Sequence, residues 1–357
     1  MNNIIRNKNI NKLKIAITTA CNLTCEYCFV KKTNRDMDFV TAKKAIDLLI
    51  KSKGNDKMLS IYGGEPLLNF KLIEKMIPYA KALSRKKKKE LTINICSNLS
   101  FLSKGHLDFF KENEVCLVTS LVGKEKYHDA YRKYGEKGSF RDLIAKIKLA
   151  SKVLPLEKRG VSFCIFPSTV KYMNENFSYL LKLGFNYVNF EIIRQYEEWT
   201  LESVKLFYYN LRKIIDITIN SVKSSRCIYL NPINWEIRHE TFSKFRCPFN
   251  YEVEAYPDGE LAFSPFLLND KNKNKYIYGD LNKAFFRFRN CSFSPEKDIC
   301  QRCETEYFSE YRNEKYASMV NRVYRQLCLE ASNFLRCRKT DKFFSKYLAQ
   351  INNKICF

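Results

Sequence analysis

The chain has 357 residues, of which 45% are hydrophobic and 28% are charged. This balance is typical of a globular protein with a sizeable core and excludes a disordered or fibrous one. Lysine and arginine number 62 against 38 aspartate and glutamate residues, and the resulting net charge of +24 would attract acidic proteins, acidic peptides or phosphate groups.

The 14 cysteines and the N-terminal sequence indicate the cellular compartment. The opening sequence, MNNIIRNKNINKLK, has neither the apolar segment nor the cleavage site of a secretory signal, so we expect reduced thiols and a cytoplasmic location. No apolar stretch approaches the roughly 18 to 20 residues that a membrane span requires. We therefore expect no membrane partner.

Short aliphatic runs alternate with longer amphipathic stretches in the first part of the chain. The runs predict six strands, over residues 13–18, 58–62, 91–96, 115–120, 160–166 and 187–193. The amphipathic stretches predict six helices, over residues 36–53, 70–84, 103–113, 139–154, 172–183 and 200–223. Six βα units with right-handed crossovers make an α/β fold, a partial (β/α)6 TIM-like barrel with its active site at the C-terminal ends of the strands.

The alternation ends near residue 226, and the rest of the chain predicts a different organisation. Residues 226–312 are rich in cysteine, aromatic residues and asparagine without a helical period, which indicates a second module. The amphipathic stretch 313–350 predicts one or two helices. We therefore expect a barrel over residues 1–225, a small cysteine-containing domain over 226–312 and a C-terminal helical segment over 313–357.

Three cysteines, Cys21, Cys25 and Cys28, directly follow the first predicted strand. Three thiolates this close together can bind three irons of a cubane cluster and leave the fourth iron open to a substrate or cofactor. In a chain of this length and cysteine content, chance would produce this triple spacing roughly 0.02 times. The alternative, three buried structural thiols, is disfavoured because the motif lies in a loop after a strand.

The cysteine motif resembles the signature of the radical S-adenosylmethionine (SAM) enzymes, Cys-x3-Cys-x-aromatic-Cys, with Tyr27 as the aromatic residue. Gly63, Gly64 and Glu65, followed by Pro66, end the second predicted strand and resemble the Gly-Gly-Glu-Pro element of that family. The resemblance implies that this element holds the amino group of SAM. Two glycines let backbone carbonyls approach a ligand closely, and Glu65 offers an anionic partner for an ammonium group.

Further elements resemble those of the peptide-modifying branch of the family. Ser97 and Asn98 follow the third predicted strand, and the resemblance places them near the ribose of SAM, although Leu99 stands where the family has glycine. Ser120 and Arg132 lie in stretches similar to Ser-x-Asp-Gly and His-Asp-x-x-Arg. The resemblance implies that both bind the SAM carboxylate, a role suited to a hydroxyl and a guanidinium fork.

Three more positions carry expectations about the site. Val122 occupies the place of the family's aspartate, so we expect no acid to act there. His128 is followed by Asp129, and because a His-Asp pair that opens a helix is more often a cap or a surface contact, we expect that role rather than a catalytic base. Ile192, in the sixth predicted strand, is expected either to line the adenine site or to pack in the core.

The second module resembles the auxiliary iron–sulfur domain of peptide maturases, called SPASM in its full form and twitch in its shorter form. The likeness lies in the order Arg-Cys-Pro, Pro-Asp-Gly, Cys-x2-Cys. Ser264, Ser309 and Asn313 stand where the family has further cysteines, so we do not expect two full auxiliary clusters. Four thiols remain in the module, namely Cys247, Cys291, Cys300 and Cys303. They could hold one auxiliary 4Fe–4S cluster, one zinc ion or no metal.

The resemblance implies an enzyme with a 4Fe–4S cluster and SAM as cofactors, which cleaves SAM to a 5′-deoxyadenosyl radical that abstracts hydrogen from a substrate. The favoured substrate is a ribosomally made precursor peptide, with a thioether, a carbon–carbon crosslink or an epimerised residue as product. The barrel itself or a separate leader-binding protein would recognise the leader. An acidic flavodoxin or ferredoxin would dock on a basic face of the protein and supply electrons to the cluster.

Two other hypotheses remain open. One is radical chemistry on a small molecule, a nucleoside or RNA, with the positive charge of the chain binding phosphates. The other is an iron–sulfur redox sensor that binds its cluster without turnover. Residues 85–89 are the most basic segment, but no aromatic platform adjoins them, so a nucleic-acid partner is not favoured.

Overall fold

The computed structural model describes residues 9–194, 196–224, 226–239, 251–262, 279–283, 285–286 and 314–352. Its strands are β1 (Lys12–Ala16), β2 (Asp56–Tyr62), β3 (Glu90–Ser97), β4 (Cys116–Leu121), β5 (Lys133–Tyr134), β6 (Lys137–Gly138), β7 (Arg159–Ile165), β8 (Tyr187–Ile192), β9 (Tyr229–Leu230), β10 (Glu252–Ala255), β11 (Glu260–Ala262), β12 (Gly279–Asp280) and β13 (Phe285–Phe286).

The α-helices are α1 (Phe39–Lys51), α2 (Phe70–Lys86), α3 (Lys104–Glu112), α4 (Glu125–Tyr131), α5 (Phe140–Val153), α6 (Met173–Lys182), α7 (Leu201–Ser221), α8 (Asn231–His239), α9 (Glu314–Cys337) and α10 (Lys342–Asn352). Short 3-10 helices cover Pro66–Asn69, Leu156–Lys158 and Pro167–Tyr172. Among the helices that the structure describes, none is both long and apolar enough to cross a bilayer.

One large sheet has the strand order β13-β12-β11-β10-β1-β2-β3-β4-β7-β8-β9. The six strands from β1 to β8 along this order are parallel, with helices in the crossovers, as predicted for the partial barrel. All six predicted strands and all six predicted helices are confirmed, with ends that shift by at most three residues. The C-terminal stretch forms two helices, α9 and α10.

The sheet continues beyond the predicted barrel on both sides. Strand β9 adds parallel to β8, and β10 adds parallel to β1, with Lys12 opposite Glu252 and Lys14 opposite Glu254. Strands β11 to β13 then run antiparallel. The first described strands of the predicted second module therefore extend the sheet of the barrel, while the boundary near residue 226 stays a prediction.

The two faces of the parallel strands differ in chemistry. Residues such as Leu13, Ile15 and Ile61 are fully buried on the face that packs against the helices. Because side chains alternate along a strand, the intervening residues face the barrel interior. That interior is polar: Ser60 donates to Asn94 at 2.5 Å. A polar interior is consistent with a ligand-binding barrel rather than one filled by apolar side chains.

Helix α1 shows why the crossovers begin and end where they do. The Asp38 carboxylate accepts from the Thr41 amide at 2.6 Å and so caps the first turn. Buried residues recur at helical spacing through Ala42, Ala45 and Leu49, which turns one face of the helix towards the sheet. This helix follows the cysteine loop and holds its C-terminal end in place.

Candidate functional site

The three motif cysteines lie in the loop between β1 and α1. Two backbone hydrogen bonds join the two ends of this loop. Thr19 N donates to Arg35 O at 2.8 Å, and Met37 N donates to Ile17 O at 2.9 Å. Within the loop, the Cys28 amide donates to Cys25 O at 3.2 Å. The sequence motif is therefore placed on a closed loop at the C-terminal end of the first parallel strand.

All three thiols, those of Cys21, Cys25 and Cys28, are partly buried. Burial is the largest effect on Cys21 and Cys28 and raises the pKa of both thiols, and neighbouring thiols of the motif raise it further. Within the described ranges, no three Cys, His or acidic side chains are yet gathered at the spacing of a metal site. The sulfurs would come closer and lose their protons on binding iron, as thiolate ligands do.

The Gly-Gly-Glu element packs directly against the cysteine loop. Gly64 N donates to Thr18 O at 2.8 Å, and Glu65 N donates to Ala20 O at 2.7 Å. A Cβ atom on Gly63 would lie 2.3 Å from Thr18 O, and one on Gly64 would lie 2.1 Å from Ala20 O. The two glycines are therefore required for the approach of one loop to the other, and their predicted contact with SAM stays a prediction.

Glu65 joins the ends of β2 and β3. Its side chain is 0% exposed and accepts from Leu67 N at 3.0 Å, Ser97 Oγ at 2.7 Å and Asn98 N at 2.7 Å. Burial raises the pKa of the carboxyl group, while these three donors act in the opposite direction. Since a carboxylate has about four acceptor positions, one remains for the predicted ammonium contact.

Asn98 links the end of β3 to the cysteine loop. Its amide nitrogen lies 3.0 Å from Asn22 Oδ1 and 3.8 Å from Cys21 Sγ. Its oxygen accepts from the Ser100 amide at 2.9 Å, and Asn22 donates in turn to Ser100 Oγ at 2.9 Å. The predicted Ser97–Asn98 element is thus in direct contact with the first cysteine of the motif.

Leu99, at the family's glycine position, has a φ of 66° and is 2% exposed. We expect Leu99→Gly to relieve about 1 kcal/mol of left-handed strain but to lose about 2–4 kcal/mol of buried contacts, so unfolding should become easier by about 1–3 kcal/mol. Chemical denaturation tests this result. The exposed Lys88, with a φ of 52°, is the control, because Lys88→Gly removes similar strain without a buried side chain. A Leu99→Gly variant as stable as the parent would contradict the expectation.

Arg132 meets the aromatic residue of the cysteine motif. Its guanidinium donates to the Tyr27 hydroxyl at 2.5 Å, and Arg132 is only 9% exposed. Among the described residues, no carboxylate forms an ion pair with it, so this buried cation lacks an anionic partner. Ser120 is the penultimate residue of β4, and Arg132 directly follows α4. The joint contact of Ser120 and Arg132 with the SAM carboxylate stays a prediction.

A local hydrogen-bond network holds Arg132 in position. His128 Nε2 lies 3.1 Å from Ser139 Oγ, and that hydroxyl donates to Arg132 O at 2.8 Å. The Asp129 carboxylate accepts from Phe140 N at 2.8 Å. The expected surface or cap position of His128 was wrong, because the ring is fully buried within α4. Burial and then the Arg132 charge lower the pKa of His128 well below its usual value, so the ring is neutral.

Val122 and Ile192 both belong to apolar clusters. Val122 is fully buried and packs with Tyr127, Cys164 and Phe166. An aspartate there would be a buried charge, so the expected absence of an acid agrees with its surroundings. Ile192 is 8% exposed and its side chain is part of the main core, while its position as the last residue of β8 leaves its backbone at the edge of the site.

Sequence reasoning missed a charged group inside the barrel. Lys14 pairs with Glu252, and the fully buried Glu254 lies beside the Tyr62 hydroxyl. Neither oxygen of Glu254 makes a hydrogen bond of ordinary geometry. The signal was present in the sequences Lys-Leu-Lys and Glu-Val-Glu, because charges at period two on strands share one face. Their pairing across β1 and β10 required the structure.

Glu254 gives a pH-dependent prediction. Burial raises the pKa of its carboxyl group to about 7, from an ordinary value of 4.5. The folded state therefore favours the protonated acid, and this stability is lost as pH rises from 4.5 through 7. We expect Glu254→Gln to raise the free energy of unfolding by up to about 3 kcal/mol at pH 8 and by nothing at pH 4.

Glu252→Gln is the matched control for this measurement by denaturant titration at several pH values. Burial alone would raise the pKa of Glu252, but its paired Lys14 ammonium lowers it below the ordinary value. This substitution should therefore destabilise the protein at pH 8. A Glu254→Gln variant that is less stable than the parent at pH 8 would contradict the assignment.

The four predicted auxiliary ligands, Cys247, Cys291, Cys300 and Cys303, lie outside the described residues, as does Ser264. Their assignment to an iron–sulfur cluster or to zinc stays a prediction.

Part of the chain is similar to a known protein family. The model of the Radical SAM superfamily matches residues 15–167. An uncharacterized protein of Methanocaldococcus jannaschii is 31% identical over 185 residues, which cover 51% of this chain and 62% of that protein. The cysteine-type anaerobic sulfatase-maturating enzyme of Clostridium novyi is 23% identical over 193 residues, covering 51% of each chain. The chain thus spans about half to three fifths of the length of these curated relatives.

A solved structure, native anSMEcpe with bound AdoMet and the Cp18Cys peptide, has the same fold. Its TM-score is 0.65 at 16% identity, covering 90% of this chain and 99% of that one. The superfamily uses a 4Fe–4S cluster and SAM. The matched segment contains the cysteine loop, the Gly-Gly-Glu element, Asn98 and Arg132. Residues 15–167 are therefore similar to the Radical SAM superfamily.

Proposed function

We propose that the protein is a radical SAM enzyme that abstracts a hydrogen atom from a peptide substrate. The observation that carries this proposal is the convergence of three sequence elements on the cysteine loop. The Gly-Gly-Glu backbone, the Asn98 amide and the Arg132–Tyr27 pair all contact the segment from Thr18 to Cys28. Loaded with its cluster and SAM, such a site supplies one electron that splits SAM into methionine and a 5′-deoxyadenosyl radical.

The residues of the chain fit these cofactors. Cys21, Cys25 and Cys28 offer three soft thiolate ligands and no fourth, which suits a cubane cluster with one open iron. Arg132 is a buried cation without a carboxylate partner among the described residues, which suits the carboxylate of SAM. Glu65 retains one acceptor position for the SAM ammonium.

Aromatic side chains shield this site from water. Tyr27 lies edge-on to Phe166 with ring centroids 5.0 Å apart, and Tyr131 stacks on Phe166 at 3.7 Å. The loop after β8 adds Tyr196, whose hydroxyl donates to Glu26 of the cysteine loop. Excluding water protects a reactive radical and strengthens the electrostatic contacts inside the site.

A peptide is the proposed substrate because of the relatives and the charge. The Clostridium relative is named a sulfatase-maturating enzyme, and the solved structure of similar fold holds a peptide. The net charge of +24 favours acidic partners. We propose a crosslink, a thioether or an epimerised residue as the product. We also propose an auxiliary cluster on the C-terminal thiols and an acidic flavodoxin or ferredoxin as the electron donor. The leader would be recognised by the barrel or by a separate protein.

Formation of 5′-deoxyadenosine tests the proposed chemistry. The full chain is reconstituted anaerobically with iron and sulfide, mixed with SAM and dithionite, and the products are measured by mass spectrometry. The proposal predicts 5′-deoxyadenosine and methionine in equal amounts. SAM binding without cleavage under any reductant would instead support a redox sensor. Substrate binding that weakens steeply with salt and is blocked by RNA would support a phosphate-bearing substrate.

A further inference from the structure

A cavity of about 650 Å³ lies at the end of the barrel opposite the cysteine loop. Among the described residues, it is bounded by the first residues of β8 and β9, by residues 222–224 and 226–227 after α7, and by the first turns of α10. Its volume is in the range of small-molecule and peptide pockets, about 300–1,000 Å³. The candidate active site does not use this cavity, because that site lies at the C-terminal ends of the same strands.

The walls of the cavity are strongly positive. Four basic side chains line it against one acidic one: Lys223, Arg226, Lys342 and Lys346 against Glu157. Within the described ranges, none of the four basic groups forms an ion pair with a carboxylate. Arg226 donates only to main-chain oxygens, those of Leu181 and Phe185. The concave surface therefore attracts an anionic ligand.

Asn186 also lines the cavity. It is 4% exposed, and its amide nitrogen donates to Cys227 O at 3.1 Å. This hydrogen bond ties the segment before β8 to the loop that carries Arg226.

The local backbone favours carboxylates over phosphate. The N-terminus of α10 is already capped, because Asp341 accepts from Phe343 N at 2.9 Å and from Phe344 N at 3.4 Å. No glycine is among the described residues that line the cavity, so these residues form no glycine cradle of backbone N–H groups for a phosphate. Separate flexible lysines suit carboxylates spaced along a chain, and the half-exposed Phe343 ring adds an apolar contact.

We infer that this cavity binds an acidic segment of a peptide, with its carboxylates on Lys223, Lys342 and Lys346. The inference rests on the proposed function, since it assigns a second contact to the proposed peptide substrate. The segment would hold the peptide at the base of the barrel while another part of it reaches the cysteine loop.

The geometry also sets a minimum separation within the peptide. Strand β8 starts with Tyr187 at the cavity and ends with Ile192 at the site edge. Six residues at about 3.3 Å each place the two ends roughly 17–20 Å apart. An extended peptide covers at most about 3.3–3.6 Å per residue. At least about six residues must therefore separate the acidic segment from the residue that is modified.

Fluorescence anisotropy with a labelled probe peptide tests this inference on the reconstituted full chain. The probe has alternating glutamate and leucine, and the comparison probe has glutamine for glutamate. The charge-reversal variant is Lys342→Glu with Lys346→Glu, both exposed on α10. The control is Lys86→Glu with Lys87→Glu, an equal change of charge at an exposed site distant in sequence from the cavity. We expect at least tenfold weaker binding for the first pair and less than twofold for the control.

Equal loss of binding in both variants would overturn the inference, because it would reflect only the overall charge. Competition by inorganic phosphate or ATP as strong as by unlabelled acidic peptide would also overturn it in favour of a phosphate ligand. Normal 5′-deoxyadenosine formation without probe binding would overturn only this inference. Probe binding without 5′-deoxyadenosine would overturn only the proposed function.

Discussion

Replacing Cys21, Cys25 and Cys28 together by alanine is expected to abolish 5′-deoxyadenosine formation. Among the described residues, these three are the only thiols on the loop that contacts Gly64, Glu65 and Asn98. Without thiolates the loop retains no soft ligand for iron. The measurement is 5′-deoxyadenosine yield and bound iron after anaerobic reconstitution, with Cys337→Ala as the control because that thiol is exposed on α9, away from the loop.

The iron content of this variant also decides the state of the C-terminal thiols. If the triple variant still binds about four iron atoms per chain, a second cubane cluster is present on residues outside the loop. Zinc in place of iron, or no metal, would leave the cysteine loop as the only iron site. Cleavage of SAM at the parent rate by the triple variant would contradict the assignment of the loop.

Gly64→Ala is expected to disrupt the site through the backbone alone. The new Cβ would lie 2.1 Å from Ala20 O and 2.6 Å from Ala20 C, and both are main-chain atoms that cannot rotate away. The cysteine loop and the end of β2 must then separate, which breaks the bonds from Gly64 N and Glu65 N. We expect the free energy of unfolding to fall by about 3 kcal/mol and iron binding to fall at least several-fold.

Gly105→Ala is the matched control for this substitution. Gly105 lies in α3, and the nearest atom to an added Cβ is Ser103 Oγ at 3.8 Å. Alanine there should stabilise the protein by about 0.5–1 kcal/mol, because glycine weakens a helix. Urea titration and iron analysis compare the two variants. Equal stability and equal iron in both would show that the loops can separate at no cost.

The barrel could be predicted because its signals are local. Each strand and helix of the predicted βα units has its own periodicity, as in the buried positions Ala42, Ala45 and Leu49 of α1. Helix α4 was missed because seven residues are too few to show a period. The hairpin β5–β6 has two-residue strands and was missed for the same reason.

Residues of the candidate site could be identified from the sequence, but the contacts between them could not. The cysteines could be identified because their spacing lies within eight residues of the chain. Gly63 and Gly64 also allow a close approach to the cysteine loop, which the sequence did not show, and their expected contact with SAM stays a prediction. The contact between Arg132 and Tyr27 spans 105 residues and depends on the β4 and β1 loops meeting at one edge.

The charged group of Lys14, Glu252 and Glu254 could not be predicted as a group. It depends on β10 adding beside β1, a pairing between segments about 240 residues apart. Sequence periodicity shows that these residues are on strands but not which strands are neighbours. The same limit applies to the cavity between the base of the barrel and α10, whose lining comes from distant segments.

The response of the reduced cluster to SAM is the most direct test of the central claim, that the cysteine loop holds a cluster with an open iron. Electron paramagnetic resonance spectra of the reconstituted, dithionite-reduced protein are recorded with and without SAM. We predict that SAM shifts the spectrum in the parent, and that Arg132→Met needs at least tenfold more SAM for the same shift. A spectrum that saturating SAM leaves unchanged in the parent would contradict the claim.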